Sequence, residues 1–211
     1  MNRRFDMVVF DMDGVLVDIS SSWKFIHDMF QVDSSNNLKE YLAKRTSYAE
    51  FMRRDIGLWG RVHIDKIEAI LNKVPLMIGA GETVHRLKAE GFKTAILSAG
   101  VAQLADRLRR DLKIDYSMAN ELVVDSKGWL TGEGVENVNL LDKVGALNKI
   151  LKMGRVSSRR CVVVGDSIFD IPAFRSSGLS IAFYPSDSAV KEAADIVIEE
   201  KDLRLILSHL T

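Results

Sequence analysis

The chain has one cysteine, three prolines and no excess charge of either sign, with 29 Lys and Arg against 29 Asp and Glu in 211 residues. A lone Cys161 forms no intrachain disulfide, which excludes a disulfide scaffold and fits a reducing compartment. The charge balance argues against a dedicated nucleic-acid binder, which carries a basic excess or a clustered basic face. No uncharged apolar run approaches the roughly 18–20 residues that cross a bilayer, so no membrane partner is expected. The start, Met1-Asn2-Arg3-Arg4, is basic and precedes an apolar stretch, as in a signal peptide. Asp6 and Asp11 interrupt that stretch, and no small-residue cleavage site follows. A soluble cytoplasmic protein is the expectation. The histidines His27, His63, His85 and His209 are scattered and show no metal spacing.

What is present is an ordinary globular composition, 47% hydrophobic and 27% charged, at a length that suits one α/β domain with room for an inserted subdomain. Met7–Phe10 is a short apolar run with β-branched Val8 and Val9, followed at once by Asp11-Met12-Asp13-Gly14. That is the pattern of a buried parallel strand with carboxylates at its C-terminal end. Residues 18–74 are polar and helix-forming, with 9 Lys/Arg and 8 Asp/Glu, and read as a helical insertion. Pro75, Gly79 and Gly81 mark the return to the main body, giving a core of 1–17 and 75–211 and a cap of 18–74.

Strands and helices then alternate. Strands are expected over 92–97, 160–164, 180–183 and 195–198, with a hairpin over 121–131. Helices are expected over 83–90, 101–112, 142–152, 169–177, 188–193 and 202–210. Repeated β-α units predict a doubly wound, largely parallel sheet with helices on both faces, whose ligands bind at the C-terminal strand ends. Three tips qualify: Asp11/Asp13, Ser98 and Asp166.

If Asp166 and Asp170 converge on Asp11 and Asp13, four carboxylates share one crevice and only Lys143 offsets them. Such a cluster calls for a divalent cation, and an all-oxygen donor set (Asp11, Asp13, Asp166) favours Mg²⁺. Phosphoryl transfer needs this set. Asp11 would attack phosphorus, and Asp13 would protonate the leaving oxygen and then deprotonate water. Ser98 and the Ala99 N–H, at a helix N-terminus, would bind phosphoryl oxygens alongside Lys143.

These residues also carry a resemblance. Asp11-Met12-Asp13-Gly14-Val15-Leu16-Val17-Asp18, Ile96-Leu97-Ser98-Ala99-Gly100, Lys143, and Val162-Val163-Val164-Gly165-Asp166-Ser167-Ile168-Phe169-Asp170 resemble, in order, the four motifs of the haloacid dehalogenase superfamily. The resemblance implies a Rossmann-like core with Asp11 as nucleophile, Asp13 as acid/base and Asp166 as metal carboxylate. Asp170 would be a partner of Lys143 or of the metal's waters. An acid at position 13 resembles the phosphatases and phosphomutases. Within the superfamily the chain is most similar to the phosphoserine phosphatases, through the helical insertion, Tyr116-Ser117-Met118-Ala119-Asn120-Glu121-Leu122, Leu130-Thr131-Gly132-Glu133 and Ala194-Asp195-Ile196-Val197-Ile198.

It departs from them where substrate is chosen. Those enzymes use a Glu after the first motif and an Arg on the cap, and the matching positions here hold Ser20 and Asp55, with Arg53 and Arg54 adjacent. Phe169 stands where Asn is usual. The expected partner is therefore a small phosphorylated metabolite, with phosphoserine one candidate. A phosphotransferase or mutase using the same aspartyl-phosphate stays open, as does a catalytically silent binding module. Bland alternatives also stay open at single positions: Asp170 as a helix cap, Arg53 and Arg54 as solvated cations, and Trp23, Phe30, Phe51 and Trp59 as cap core. The oligomeric state is not legible.

Overall fold

Met7–Phe10 (β1) is the centre strand of a seven-stranded sheet, and all four of its residues are buried. A strand covered on both faces has no polar side to show, which is why its sequence is an unbroken apolar run. The structure, a computed structural model, describes residues 4–210. Met1, Asn2, Arg3 and Thr211 lie outside the described residues, and with them most of the basic start noted above.

The remaining strands are Lys93–Val101 (β2), Tyr116–Val124 (β3), Leu130–Val135 (β4), Cys161–Gly165 (β5), Leu179–Phe183 (β6) and Ile196–Ile198 (β7). Their order is β4-β3-β2-β1-β5-β6-β7, parallel throughout except for the β3–β4 hairpin. The chain winds outward on one side of β1 and then returns to wind outward on the other, so the topological switch falls at β1.

Between β1 and β2 come Ser22–Phe30 (α1), Ser35–Leu42 (α2), Tyr48–Gly57 (α3), Ile64–Leu71 (α4) and Ala80–Ala89 (α5). Ala102–Asp111 (α6), Val144–Gly154 (α7), Ile171–Phe174 (α8) and Ser188–Ala193 (α9) complete the α-helices among the described residues. Local chemistry starts two of the early ones: Ser21 accepts from the Lys24 N–H before α1, and Ser47 from the Glu50 N–H before α3.

The period-two alternation of strands divides the core. Val8, Phe10, Val162 and Val164 pack into one apolar body, while Met7, Val9, Cys161 and Val163 face the other. The first body continues through Met12 and Leu16 into Trp23, Ile26, Phe51 and Met52 of α1 and α3. Each such side chain contributes about 1.5–3 kcal/mol by burial, so α1 and α3 share their stabilisation with the sheet.

Four elements differ from the sequence expectation, the first being the hairpin expected over 121–131, whose strands span Tyr116–Val124 and Leu130–Val135. The strand expected over 92–97 runs on to Val101, with a register shift against β3 between Leu97 and Val101. Ser98 and Ala99 therefore belong to an irregular strand end rather than to a helix N-terminus, since α6 begins at Ala102. Extended backbone wins there because partners exist for it: the Ala99 carbonyl alone accepts three side-chain donors. The helix expected over 169–177 is a 3₁₀ turn, Ile168–Asp170, followed by the short α8. The last helix is likewise 3₁₀, over Leu203–His209.

Candidate active site

Strand register sets the site. Phe10 lies opposite Ile96 on β2 and Val164 on β5, so Asp11, Ser98 and Asp166 leave the sheet at nearly the same level. With Asp13 and Lys143 they line one cavity of about 450 Å³, closed on its far side by α1, α3 and the α1–α2 connection.

Lys143 is the N-cap of α7 and only 2% exposed. Its Nζ donates to Asp11 Oδ2 at 2.9 Å and to Asp170 Oδ1 at 2.7 Å. Burial by itself would drive the proton off Lys143, but Asp11 and Asp170 reverse this and hold it more firmly than in an ordinary lysine. Burial pushes the Asp11 carboxyl above its usual range, with Lys143 pulling the other way. The Met12 N–H donates to Asp11 Oδ1 at 2.7 Å, so the carboxylate is fixed by both oxygens.

Asp170 is at once a partner of Lys143 and a helix cap. Its Oδ1 receives Lys143, while Oδ2 accepts from the N–H groups of Asp166 and Ser167 and from the Ser167 hydroxyl, forming a capping box. The cap orients the carboxylate that orients the lysine. Gly165 permits this approach, because a Cβ there would lie 2.4 Å from Asp170 Cγ.

Asp13 is held by a residue that motif reading passes over. The N–H and the hydroxyl of Ser22, the first residue of α1, both donate to Asp13 Oδ2 at 2.8 Å, and Ser22 Oγ accepts from the Val101 N–H at 3.1 Å. Asp13 Oδ1 is buried and has no hydrogen-bond partner among the described residues. Burial pushes Asp13 up to about 7, the Ser22 hydrogen bonds opposing it. The only sequence trace of Ser22 is the run Ser20-Ser21-Ser22, which reads as a helix start.

Asp166 is the other uncommitted carboxylate: no side chain or N–H among the described residues donates to it. Burial pushes it up to about 8, with Asp11 and Asp170 adding to the shift. Oxygens of Asp11, Asp166 and Asp170 lie within 4.8 Å of one another. A hard divalent cation fits this set, because Asp166 has free acceptor capacity and the surrounding negative charge exceeds what Lys143 offsets. Asp11, with a single donor on each oxygen, keeps acceptor capacity beside Asp166, whereas Asp170 Oδ2 already takes three donors and its Oδ1 takes Lys143. The Asp13 side chain lies outside this three-carboxylate group. Gly14 makes room: at φ +78° it is left-handed, and a Cβ would lie 2.2 Å from Asp166 Oδ2.

Ser98 is buried, and its Oγ accepts from the Gly100 N–H at 3.1 Å. The turn behind it is organised by Asn120 on β3, which is wholly buried. Asn120 Nδ2 donates to Ala99 O, Val138 O and Tyr48 Oη, each at 3.0 Å, and its Oδ1 accepts from the N–H groups of Asn137 and Val138. Trp23 Nε1 and Tyr48 Oη also donate to Ala99 O. A buried Asn within an apolar strand was the available signal; its partners, up to 72 residues from Asn120 in the sequence, were not legible.

On the far side of the cavity, Ser20 and Asp55 line the wall, as does Phe169. Arg53 and Arg54 do not: they are exposed and paired, Arg53 with Glu50 and Glu133 and Arg54 with Glu50. Asp55 is 1% exposed, with Oδ1 accepting from Asn37 Nδ2 at 2.8 Å and Oδ2 facing His27 Nε2 at 3.1 Å. Trp23 and Phe51 are both core and cavity wall, whereas Phe30 and Trp59 stack behind them. Cys161 is buried, and burial pushes its thiol up to about 12, which leaves it unreactive.

Comparison with known proteins agrees with this geometry. A family model described as haloacid dehalogenase-like hydrolase matches residues 5–178. A phosphoserine phosphatase of Methanocaldococcus jannaschii is 31% identical over the full length of both chains. One of Lactococcus lactis is 28% identical over 97% of this chain and 94% of its own. Among solved structures, a substrate-bound phosphoserine phosphatase complex superposes with a TM-score of 0.84 at 30% identity, covering all of both chains. A phospho-aspartyl intermediate analogue of phosphoserine phosphatase gives 0.83 at 31% identity, over 99% of this chain and 100% of that one.

Proposed function

The chain belongs to the haloacid dehalogenase-like hydrolases and is a phosphoric monoester hydrolase, and we propose that it hydrolyses a small phosphomonoester through an aspartyl-phosphate on Asp11 with Mg²⁺ bound. The observation that carries this reading is the pairing of a fully held carboxylate, Asp11, with a half-held one, Asp13, in a single cavity. A nucleophile needs fixed orientation. An acid/base needs one oxygen left for the substrate.

In the first step Asp11 forms an O–P bond and the ester P–O bond breaks. Asp13, lying around 7 and so substantially protonated at neutral pH, gives its proton from Oδ1 to the departing alkoxide. In the second step the Asp13 carboxylate takes a proton from water as that water bonds to phosphorus. The Asp11–phosphorus bond then breaks and inorganic phosphate leaves. Lys143, Ser98 and the Ala99 N–H stabilise negative charge on the phosphoryl oxygens. Asp11 and Asp166 hold the cation, which supplies charge neutralisation at the transferring group. Residues 18–74 act as a cap that excludes bulk water above Asp13, with Ser22 tying α1 to the acid.

Support for the intermediate comes from the likeness to a phosphoserine phosphatase caught as a phospho-aspartyl analogue. The test is turnover of an aryl phosphate with and without Mg²⁺, for wild type and Asp11→Asn, with free phosphate measured. A loss of at least about a thousandfold is expected in the variant. Undiminished turnover by Asp11→Asn would overturn the nucleophile. Delivery of the phosphoryl group to added alcohols in place of water would turn the assignment to a phosphotransferase.

A further inference from the structure

Two cations line the cavity, and each is paired with carboxylates of the chain, Lys143 at the phosphoryl end and Lys24 at the other. Lys143 is committed to Asp11 and Asp170. Lys24 is chelated by both oxygens of Asp28, at 2.8 and 2.6 Å. Arg53 and Arg54 are turned to Glu50 and Glu133, outside the wall. Beyond the phosphoryl end, the charged wall consists of three carboxylates, Asp28, Asp33 and Asp55, against the one bound ammonium of Lys24.

His27 does not neutralise Asp55. An indole N–H only donates, and Trp59 Nε1 donates to His27 Nδ1 at 2.9 Å. Nδ1 must therefore carry a lone pair, and the single ring proton sits on Nε2, directed at Asp55 Oδ2. In this tautomer the ring donates to Asp55 without bringing a positive charge to the wall. The rest of this end is aromatic, formed by Trp23, Tyr48 and Phe51. Carboxylates among rings favour an organic cation, through Coulomb attraction and through the ring quadrupoles.

Resting on the hydrolase reading above, we propose that the substrate is the phosphate ester of an amino alcohol, whose leaving group carries an ammonium and no carboxylate. Phosphoethanolamine and phosphoserine differ only in the carboxylate, which this wall leaves unpaired beside Asp55. Desolvating an unpaired carboxylate next to like charge is among the costliest events in a binding site. Glycerol phosphate is of similar size but has no charge on its alcohol, so it forgoes the attraction.

The experiment compares kcat/KM of the full chain with Mg²⁺ on phosphoethanolamine, phosphoserine, glycerol 3-phosphate and an aryl phosphate. Phosphoethanolamine is expected to exceed phosphoserine by tenfold or more and glycerol 3-phosphate by several-fold. Asp28→Ala, which frees the Lys24 ammonium, should raise the phosphoserine-to-phosphoethanolamine ratio several-fold. Asp55→Asn should shrink the advantage over glycerol 3-phosphate, and Asp33→Asn, at an exposed residue, gives the same reading should the buried variant not fold. Phosphoserine or glycerol 3-phosphate turned over as well as phosphoethanolamine would overturn the proposal. If that happened with the aryl ester still hydrolysed in an Asp11-dependent way, the hydrolase reading would stand. No turnover of any ester would remove both.

Discussion

Replacing Lys143 with Met keeps the volume of the side chain and removes its charge from a site where it is 2% exposed. At 2.9 Å from Asp11 and 2.7 Å from Asp170, each contact gives roughly 6 kcal/mol of attraction at an effective dielectric near 20, before desolvation is subtracted. Without the lysine, two buried carboxylates face each other, and the folded protein can relieve them only by binding a proton. For an ordinary carboxyl that costs about 1.4 kcal/mol per pH unit above a pKa near 4, or about 4 kcal/mol at pH 7. This sets a ceiling close to the roughly 3–5 kcal/mol typical of a broken buried ion pair.

The sign follows from the same step. In the variant the folded carboxyls have raised pKa values, so their protonated form is compatible with folding at low pH and stability is lost as pH rises. The gap between wild type and Lys143→Met should be about 4 kcal/mol at pH 7 and shrink to about 1–2 kcal/mol at pH 5. Urea unfolding followed by tryptophan fluorescence, in chelator, at pH 5, 6 and 7 measures it. Adding Mg²⁺ should restore part of the loss, since the cation neutralises the same charge. A gap below about 1 kcal/mol at pH 7, or one that does not change with pH, would show that Lys143 is not the charge that holds this cluster together.

Three other perturbations are equally specific. Gly14→Ala combines a left-handed backbone with a clash against Asp166 Oδ2, so Mg²⁺ affinity by calorimetry should fall at least tenfold, with about 1–3 kcal/mol of destabilisation. Asn120→Ala leaves the N–H groups of Asn137 and Val138 without their partner and should cost about 2–4 kcal/mol, with kcat falling more than KM rises because Ala99 loses a support. Asp115 accepts from the N–H and hydroxyl of buried Thr94 and from Lys88. Burial opposes its ionisation, but these donors hold it below its usual range. Its contribution is present above pH 4 and lost as pH falls further, so Asp115→Ala should cost about 1–3 kcal/mol at neutral pH and progressively less in acid, by denaturant titration.

How much of this was legible differs by residue. Asp11, Asp13 and Asp166 could be picked out because each follows an apolar run at a strand end, and parallel registration is bound to bring such ends together. Lys143 was named as the offsetting charge, yet nothing in its sequence neighbourhood separates it from Lys149 or Lys152. Its burial follows from where α7 docks. Ser98 was found, but its backbone setting was misread, since a run of Ser-Ala-Gly looks like a helix start until the donors on Ala99 O are known.

The sequence by itself determined the alternation of elements, the carboxylates at the strand ends and the expectation of a cation among them, because these depend on local pattern and on counting charges. Only the tertiary structure decided which carboxylates are spoken for. Ser22 claims one oxygen of Asp13, Lys143 and two backbone N–H groups claim Asp170, and Asp166 is left free for metal. It also decided that Arg53 and Arg54 face away from the cavity while Asp55 lines it. Hydrogen bonds and ion pairs act over a few ångströms between residues far apart in the chain, so their outcome is fixed only when the packing of helices on the sheet is complete.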